Sequence, residues 1–248
     1  MPQPSNVHPG QSACSLPSTL WSFVLHARDR PGPEAGEALG ALCQAYWYPL
    51  YVYIRRQVGS ADQAEDLTQA FFTRLLEKDF LASVDREKGK FRAFLLACCK
   101  HFLANERDRQ RARKRGGGQP VLSLDRPSVE SQYHREPADT LTPELHFQRS
   151  WALLLLDQTL ERLRAEYHES GKGSLYEHLK AALLGDHAAL SYAAIGTAVG
   201  MSEAAVKKAS QRLRQRYGEL LRDRIGATVD GPEAVEEEIR ELFAVLRS

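Results

Sequence analysis

Residues Leu190–Tyr217 read LSYAAIGTAVGMSEAAVKKASQRLRQRY. The pattern is a short apolar helix, a tight turn and a second helix studded with cations. Gly200 supplies the backbone freedom a sharp turn needs. Ser202 stands where an N-cap accepts a hydrogen bond from the next helix's free amides. Gly196 is small enough to let two helices cross closely, and Ile195, Val199, Val206 and Leu213 fall on the inward side. This is a helix-turn-helix pattern, whose second helix is the element that enters a DNA major groove.

In the rest of the chain helical spacing dominates and no period-two strand run is found, so the expected fold is all-α. Residues 1–18 read as a flexible leader. Leu20, Trp21, Val24 and Leu25 suggest a first helix, ended by the Arg30–Pro33 breaker. A second runs from about Glu34 to Val58, interrupted by Pro49. Ser60 to Gln63 offers a capping box for a third helix over Ala61–Lys78. Its apolar stripe is expected at Leu67, Ala70, Phe71, Leu75 and Leu76, with Asp62, Glu65, Asp66 and Gln69 on the other side. A fourth helix spans about Phe91–Arg115 and stops at Gly116–Gly118. Residues 116–142 have the composition of a linker. Pro143 suits a first helical position, opening a long amphipathic helix from Glu144 to Glu169. A helix over Leu175–Leu184 precedes the helix-turn-helix, and Pro232 opens an acidic helix with Val235, Ile239, Leu242 and Leu246 on one face. The expected organisation is therefore a helical module over 19–115, a linker over 116–142, a second module over 143–226 and an acidic amphipathic extension over 227–248.

The 248 residues carry a net charge of only +1. That mean hides strong local asymmetry. Arg86–Arg115 holds eleven bases against three acids, Ser202–Arg224 seven against three, and Asp230–Glu241 one base against six acids. The negative tail invites the expectation that it either caps the second module's core or lies over a cationic surface and restrains DNA binding. The four cysteines form no CxxC pair, and no histidine cluster stands at metal-ligand spacing, so neither a metal nor a cofactor is expected. No secretory signal and no bilayer-length apolar segment is found, which points to the cytoplasm and to no membrane partner. No phosphate-cradling loop between strand and helix and no nucleophile–base pair is assembled, so an enzyme is not expected.

The strings ADQAEDLTQAFFTRLLEK over 61–78 and GKFRAFLLACCKHFLANERDRQRARK over 89–114 strongly resemble bacterial sigma factors of the extracytoplasmic-function group, in the sigma-70 superfamily. The segment Leu190–Tyr217 is similar to that family's fourth conserved region. The resemblance implies binding to the RNA polymerase core at the β′ clamp helices and the β flap, direction of the polymerase to promoters, and help in melting them. It implies a core-polymerase contact at Asp62, Glu65, Asp66 and Gln69, although such an acidic helix face is also compatible with plain solvation. It implies recognition of the melted minus-ten element along the helix from Phe91. There Phe91, Phe94, His101 and Phe102 are the aromatic candidates, and Lys90, Arg92, Lys100 and Arg109 are placed for phosphates. Phe94 and Phe102 also fall on the apolar stripe with Leu95, Cys98 and Leu103, whereas His101 and Asn105 project away from it. Many relatives carry Asn near position 101 and Asp near 105, so this chain departs from the usual pattern there.

For the minus-thirty-five element the resemblance implies insertion of the helix from Glu203 into the major groove. The N-terminal half of such a helix reaches base edges and later cations hold phosphates. That nominates Glu203, Ala204, Lys207, Lys208 and Gln211 near bases, with Ser202, Arg212, Arg214 and Arg216 nearer the backbone. An anti-sigma protein is a further partner class that the resemblance allows. The competing reading is a stand-alone helix-turn-helix regulator. It has no need of the Asp62–Gln69 face or of the long helix from Phe91.

Overall fold

The computed structural model describes residues 33–75, 90–113, 133, 141–185, 190–229 and 231–247. The expected leader, the first helix near Leu20, the ends of the helices expected to reach Lys78 and Arg115, and nearly all of the linker lie outside the described residues. Within them the fold is all-α, with no strand. Eight helices follow in order: α1 Pro33–Arg55, α2 Ala61–Leu75, α3 Phe91–Arg113, α4 Pro143–Glu169, α5 Gly173–Leu183, α6 Tyr192–Val199, α7 Glu203–Gly226 and α8 Gly231–Arg247.

Local chemistry accounts for where they begin and end. The Gln63 amide donates to Ser60 Oγ at 3.2 Å, which satisfies one free donor at the start of α2. Thr142 caps α4 by accepting from the Leu145 amide at 3.3 Å, with Pro143 at the first position, where its missing N–H costs nothing. Pro49 sits inside α1 among Tyr46, Leu50 and Tyr51, all essentially fully buried, so packing outweighs the hydrogen bond that proline removes.

The buried face of α2 differs from the expected stripe. Ala64, Thr68, Phe71, Phe72 and Leu75 are buried, whereas Ala70 is exposed and Leu67 only partly covered. The larger ring at Phe72 wins the inward position and stacks on Trp47 of α1 at 5.4 Å between centroids.

Two clusters form the core. The smaller joins Leu163 of α4, Tyr176 and Leu179 of α5, Ile195 of α6, and Val206, Leu213 and Leu220 of α7. The larger joins α1, α2 and α3 to Phe147, Trp151, Ala152 and Leu155 of α4, to Leu221 and Ile225 of α7, and to Leu242 of α8. Helix α4 thus supplies both. Fully burying a side chain such as Phe147, Trp151 or Leu155 stabilises by roughly 1.5–3 kcal/mol, so the three together hold α4 in the larger cluster by several kcal/mol. The core therefore continues across the boundary expected after residue 142. Helix α8 packs on α4 and α7 through Val235, Ile239, Leu242 and Leu246, as its amphipathic spacing requires, but against the larger cluster rather than the smaller one.

Candidate nucleic-acid interface

The turn between α6 and α7 is built from four short-range devices. Ser191 caps α6 by accepting from the Ala194 amide at 3.2 Å. Gly200 ends it in the left-handed region at φ 70°, a conformation that costs any residue with a Cβ roughly 1–2 kcal/mol. The Met201 amide then returns to Gly196 O at 2.9 Å. Ser202 caps α7, accepting from the Ala205 amide at 3.3 Å. A Cβ placed on Gly196 would lie 2.5 Å from Met201 O, so only glycine permits this approach of α6 to the turn.

These devices fix which side of α7 faces out. Val206, Ser210 and Leu213 are buried, while Ser202, Glu203, Ala204, Lys207, Lys208, Gln211, Arg212 and Arg214 are all exposed on the other side. Tyr192 and Ser210 hydrogen-bond at 3.3 Å, holding α6 against α7 behind that surface. The exposed cations are not equivalent. Lys207 Nζ lies 2.7 Å from Glu203 one turn earlier, and that hydrogen bond raises its affinity for the proton. Arg214 donates to Ala182 O of α5 at 3.2 Å. Lys208 and Arg212 make no ion pair among the described residues. Arg216 grips Glu166 of α4 with two hydrogen bonds of 2.9 and 3.0 Å and also reaches Glu219. The Glu166 pair leads in raising Arg216 well above its usual range. Arg216 therefore ties α7 to α4 while its side chain stays 41 % exposed.

Along α3 the expected residues separate into two groups. Lys100, His101 and Arg109 are exposed and Asn105 is half-buried. Lys100 pairs with Glu144 of α4 at 2.9 Å and Arg109 with Glu106 at 2.7 Å. Phe91 and Phe102 are buried and Phe94 is partly covered, so all three pack in the core rather than offering open stacking faces. Lys90 and Arg92 differ from expectation most. Arg92 is 7 % exposed, its guanidinium lies 5.1 Å from the centroid of the Trp151 ring, and it binds both carboxylate oxygens of Glu238 and one of Glu241. Lys90 Nζ is 2.8 Å from Glu238, which is itself only 1 % exposed. Burial works to raise the Glu238 carboxyl, but the Arg92 hydrogen bond and charge, with Lys90, outweigh it and hold the group below its ordinary value. In this structure the α8 carboxylates, not open solvent, face Lys90 and Arg92. The periodicity of α3 carried no sign of this, because the partner lies 146 residues away.

On α2, Asp62 and Gln69 are exposed and Glu65 and Asp66 half-buried, on the side away from Phe71 and Leu75. Cys99 is buried in the core, and burial pushes its thiol far above its usual range. Among the described residues no group of three or more His, Cys, Asp or Glu side chains could hold a metal ion. No described helix is long and apolar enough to cross a membrane.

An all-α body carrying a capped helix-turn-helix with a cationic outer face defines a DNA-binding protein of the helix-turn-helix class. The family model for the ECF sigma factor matches residues 37–223, most of the chain, and the chain belongs to that family. It is a sigma factor for transcription initiation, a regulatory rather than enzymatic class of protein. No curated protein and no solved structure matches the chain.

Proposed function

We propose that the chain binds the RNA polymerase core, carries it to particular promoters and assists their melting. Helix α7 is the reader of the minus-thirty-five duplex, entering the major groove with its N-terminal turns. The observation that carries this is the division of α7 into a buried face at Val206, Ser210 and Leu213 and an exposed face at Lys207, Lys208, Gln211 and Arg212. Helix α3 offers Lys100, His101, Asn105 and Arg109 to the minus-ten element, where exposed bases can stack and phosphates can pair with cations. The face Asp62, Glu65, Asp66 and Gln69 of α2 meets the β′ clamp helices, where its acidic groups fix the register of docking. The β flap is the partner of the helix-turn-helix half. All of this takes place where polymerase and chromosome are, in the cytoplasm.

Capture of the core polymerase by the purified chain tests the proposal. The parent is expected to retain the core and to redirect transcript start sites in vitro. The double change Asp66→Lys with Gln69→Ala is expected to abolish capture while leaving duplex binding by α7 intact. A chain that binds duplex but neither captures the core nor moves start sites is a stand-alone regulator, and the proposal fails.

A further inference from the structure

Promoter elements centred near minus ten and minus thirty-five are about 25 base pairs apart, or about 85 Å at roughly 3.4 Å per pair. The structure does not span that distance. Glu203 lies eighteen residues before Leu221 on α7, roughly 27 Å along the helix at 1.5 Å per residue. Leu221 packs in the same core as Leu95 and Phe102 of α3. Crossing two packed helices adds about 20 Å at 8–10 Å each, which brings the reach to about 45 Å, roughly half of what the DNA requires. The two halves must therefore separate to engage both elements.

What resists separation is specific. Helix α8 packs by its apolar face on α4 and α7, and reaches across to the start of α3 with Glu238 and Glu241. Arg92 and Lys90 each pair with both carboxylates, and the two cations belong to the most basic block of the chain. A buried guanidinium left without its partner is strongly unfavourable, so this cluster does not dissociate into nothing; it exchanges one set of anions for another. Phosphates of a nucleic-acid strand are such a set, with oxygens that accept from Arg and Lys as carboxylates do.

We propose that α8 is a latch holding the free chain in a closed form, with Glu238 and Glu241 occupying Lys90 and Arg92 in place of DNA phosphates until the promoter complex forms. The proposal rests on the reading of two promoter elements given above. It sharpens the sequence expectation of a restraining tail: the cations covered are those at the start of α3, while among the described residues α7 contributes only the peripheral ion pair Arg222–Glu236 at 2.7 Å.

Two measurements on the full chain test it. Lys90 Nζ is 2.8 Å from Glu238, close enough for a zero-length carbodiimide to join Lys90 to α8 as an isopeptide that mass spectrometry can map. The link is expected in the free protein and is expected to disappear when the complex with core polymerase and promoter DNA is treated in the same way. A link absent from the free protein, or undiminished in the promoter complex, overturns the latch. Failure to form any complex with polymerase is a different result: it removes the sigma reading and the latch with it. Second, Glu238→Gln with Glu241→Gln should free two cations for DNA in the absence of polymerase. The salt dependence of promoter-fragment binding then steepens by about 1.8, and the advantage over the parent grows about tenfold between 200 and 50 mM salt. An unchanged slope in a folded double variant overturns the proposal. Should the buried Glu238 change prevent folding, Glu241→Gln alone, at a half-exposed position, is expected to raise the slope by a smaller amount, and an unchanged slope there counts equally against it.

Discussion

Replacing Gly196 by alanine separates two opposing effects that are usually tangled. Within a helix, glycine to alanine stabilises by about 0.5–1 kcal/mol, because the unfolded chain loses freedom. Gly196 is helical with no positive φ, so propensity alone predicts a gain. Sterics predict the reverse. The new methyl would stand 2.5 Å from Met201 O and 3.6 Å from the Glu203 amide nitrogen. Those atoms are backbone, in a turn held by Gly200 at φ 70° and by the Ser202 cap, so they cannot swing aside as a side-chain tip would. Forcing such a contact apart costs typically 1–3 kcal/mol, which outweighs the propensity gain. The net expectation is a loss of about 0.5–2 kcal/mol, read as a fall in Tm of about 1–8 °C for a chain of this size. Gly218→Ala on α7 is the internal control. There the added methyl meets only the Arg222 guanidinium at 3.1 Å, the mobile end of a long side chain, and a gain of about 0.5 kcal/mol is expected. Urea unfolding of the parent and both variants measures the two signs. A Gly196→Ala protein as stable as the parent would refute the claim that close approach at the turn sets the geometry of α7.

Three further expectations follow from individual contacts. In duplex binding by fluorescence anisotropy, Lys208→Ala and Arg212→Ala should each lower the salt slope by about 0.9. Arg216→Ala should leave that slope unchanged and lower Tm, because its guanidinium is held by Glu166; a slope loss equal to that of Arg212→Ala would contradict this assignment. Glu238 is held below its ordinary 4.5 once folded, so its stabilising contribution is complete above that pH and disappears as pH falls through the lower folded value. Urea stability should therefore drop more steeply below about pH 4.5 in the parent than in Glu238→Gln, and parallel curves would argue against a buried ion cluster.

The parts of the fold that were legible in the sequence rest on neighbours a few residues apart. The caps at Ser60 and Ser202, the glycine at 200 and the proline at 143 act locally, so their residue types announce them. Helical periodicity likewise marks Ile195, Val206, Leu213 and Leu242 as inward-facing. The failures share one cause, which is competition between distant segments. Phe72 takes the inward place expected for Ala70 because Trp47 of another helix is there to receive its ring. Arg92 looks from its own helix like any phosphate-seeking cation, and only the folded chain brings Trp151, Glu238 and Glu241 around it. A guanidinium has no periodicity that distinguishes a solvated site from a buried one. Charge blocks counted along the chain show that attraction is available, but not which cations it reaches.

Helix α4 has a consequence for how this protein can be taken apart. Its 27 residues extend for about 40 Å, and its early turns belong to one core while Leu163 belongs to the other. A C-terminal fragment starting at Pro143 would keep the exposed face of α7 yet strip the α1–α3 side of the cluster from Phe147, Trp151 and Leu155, leaving a partly uncovered greasy ridge. Such a fragment is primed to self-associate. Grafting the reader onto another protein would demand either a foreign counterpart to that ridge or its replacement by polar residues.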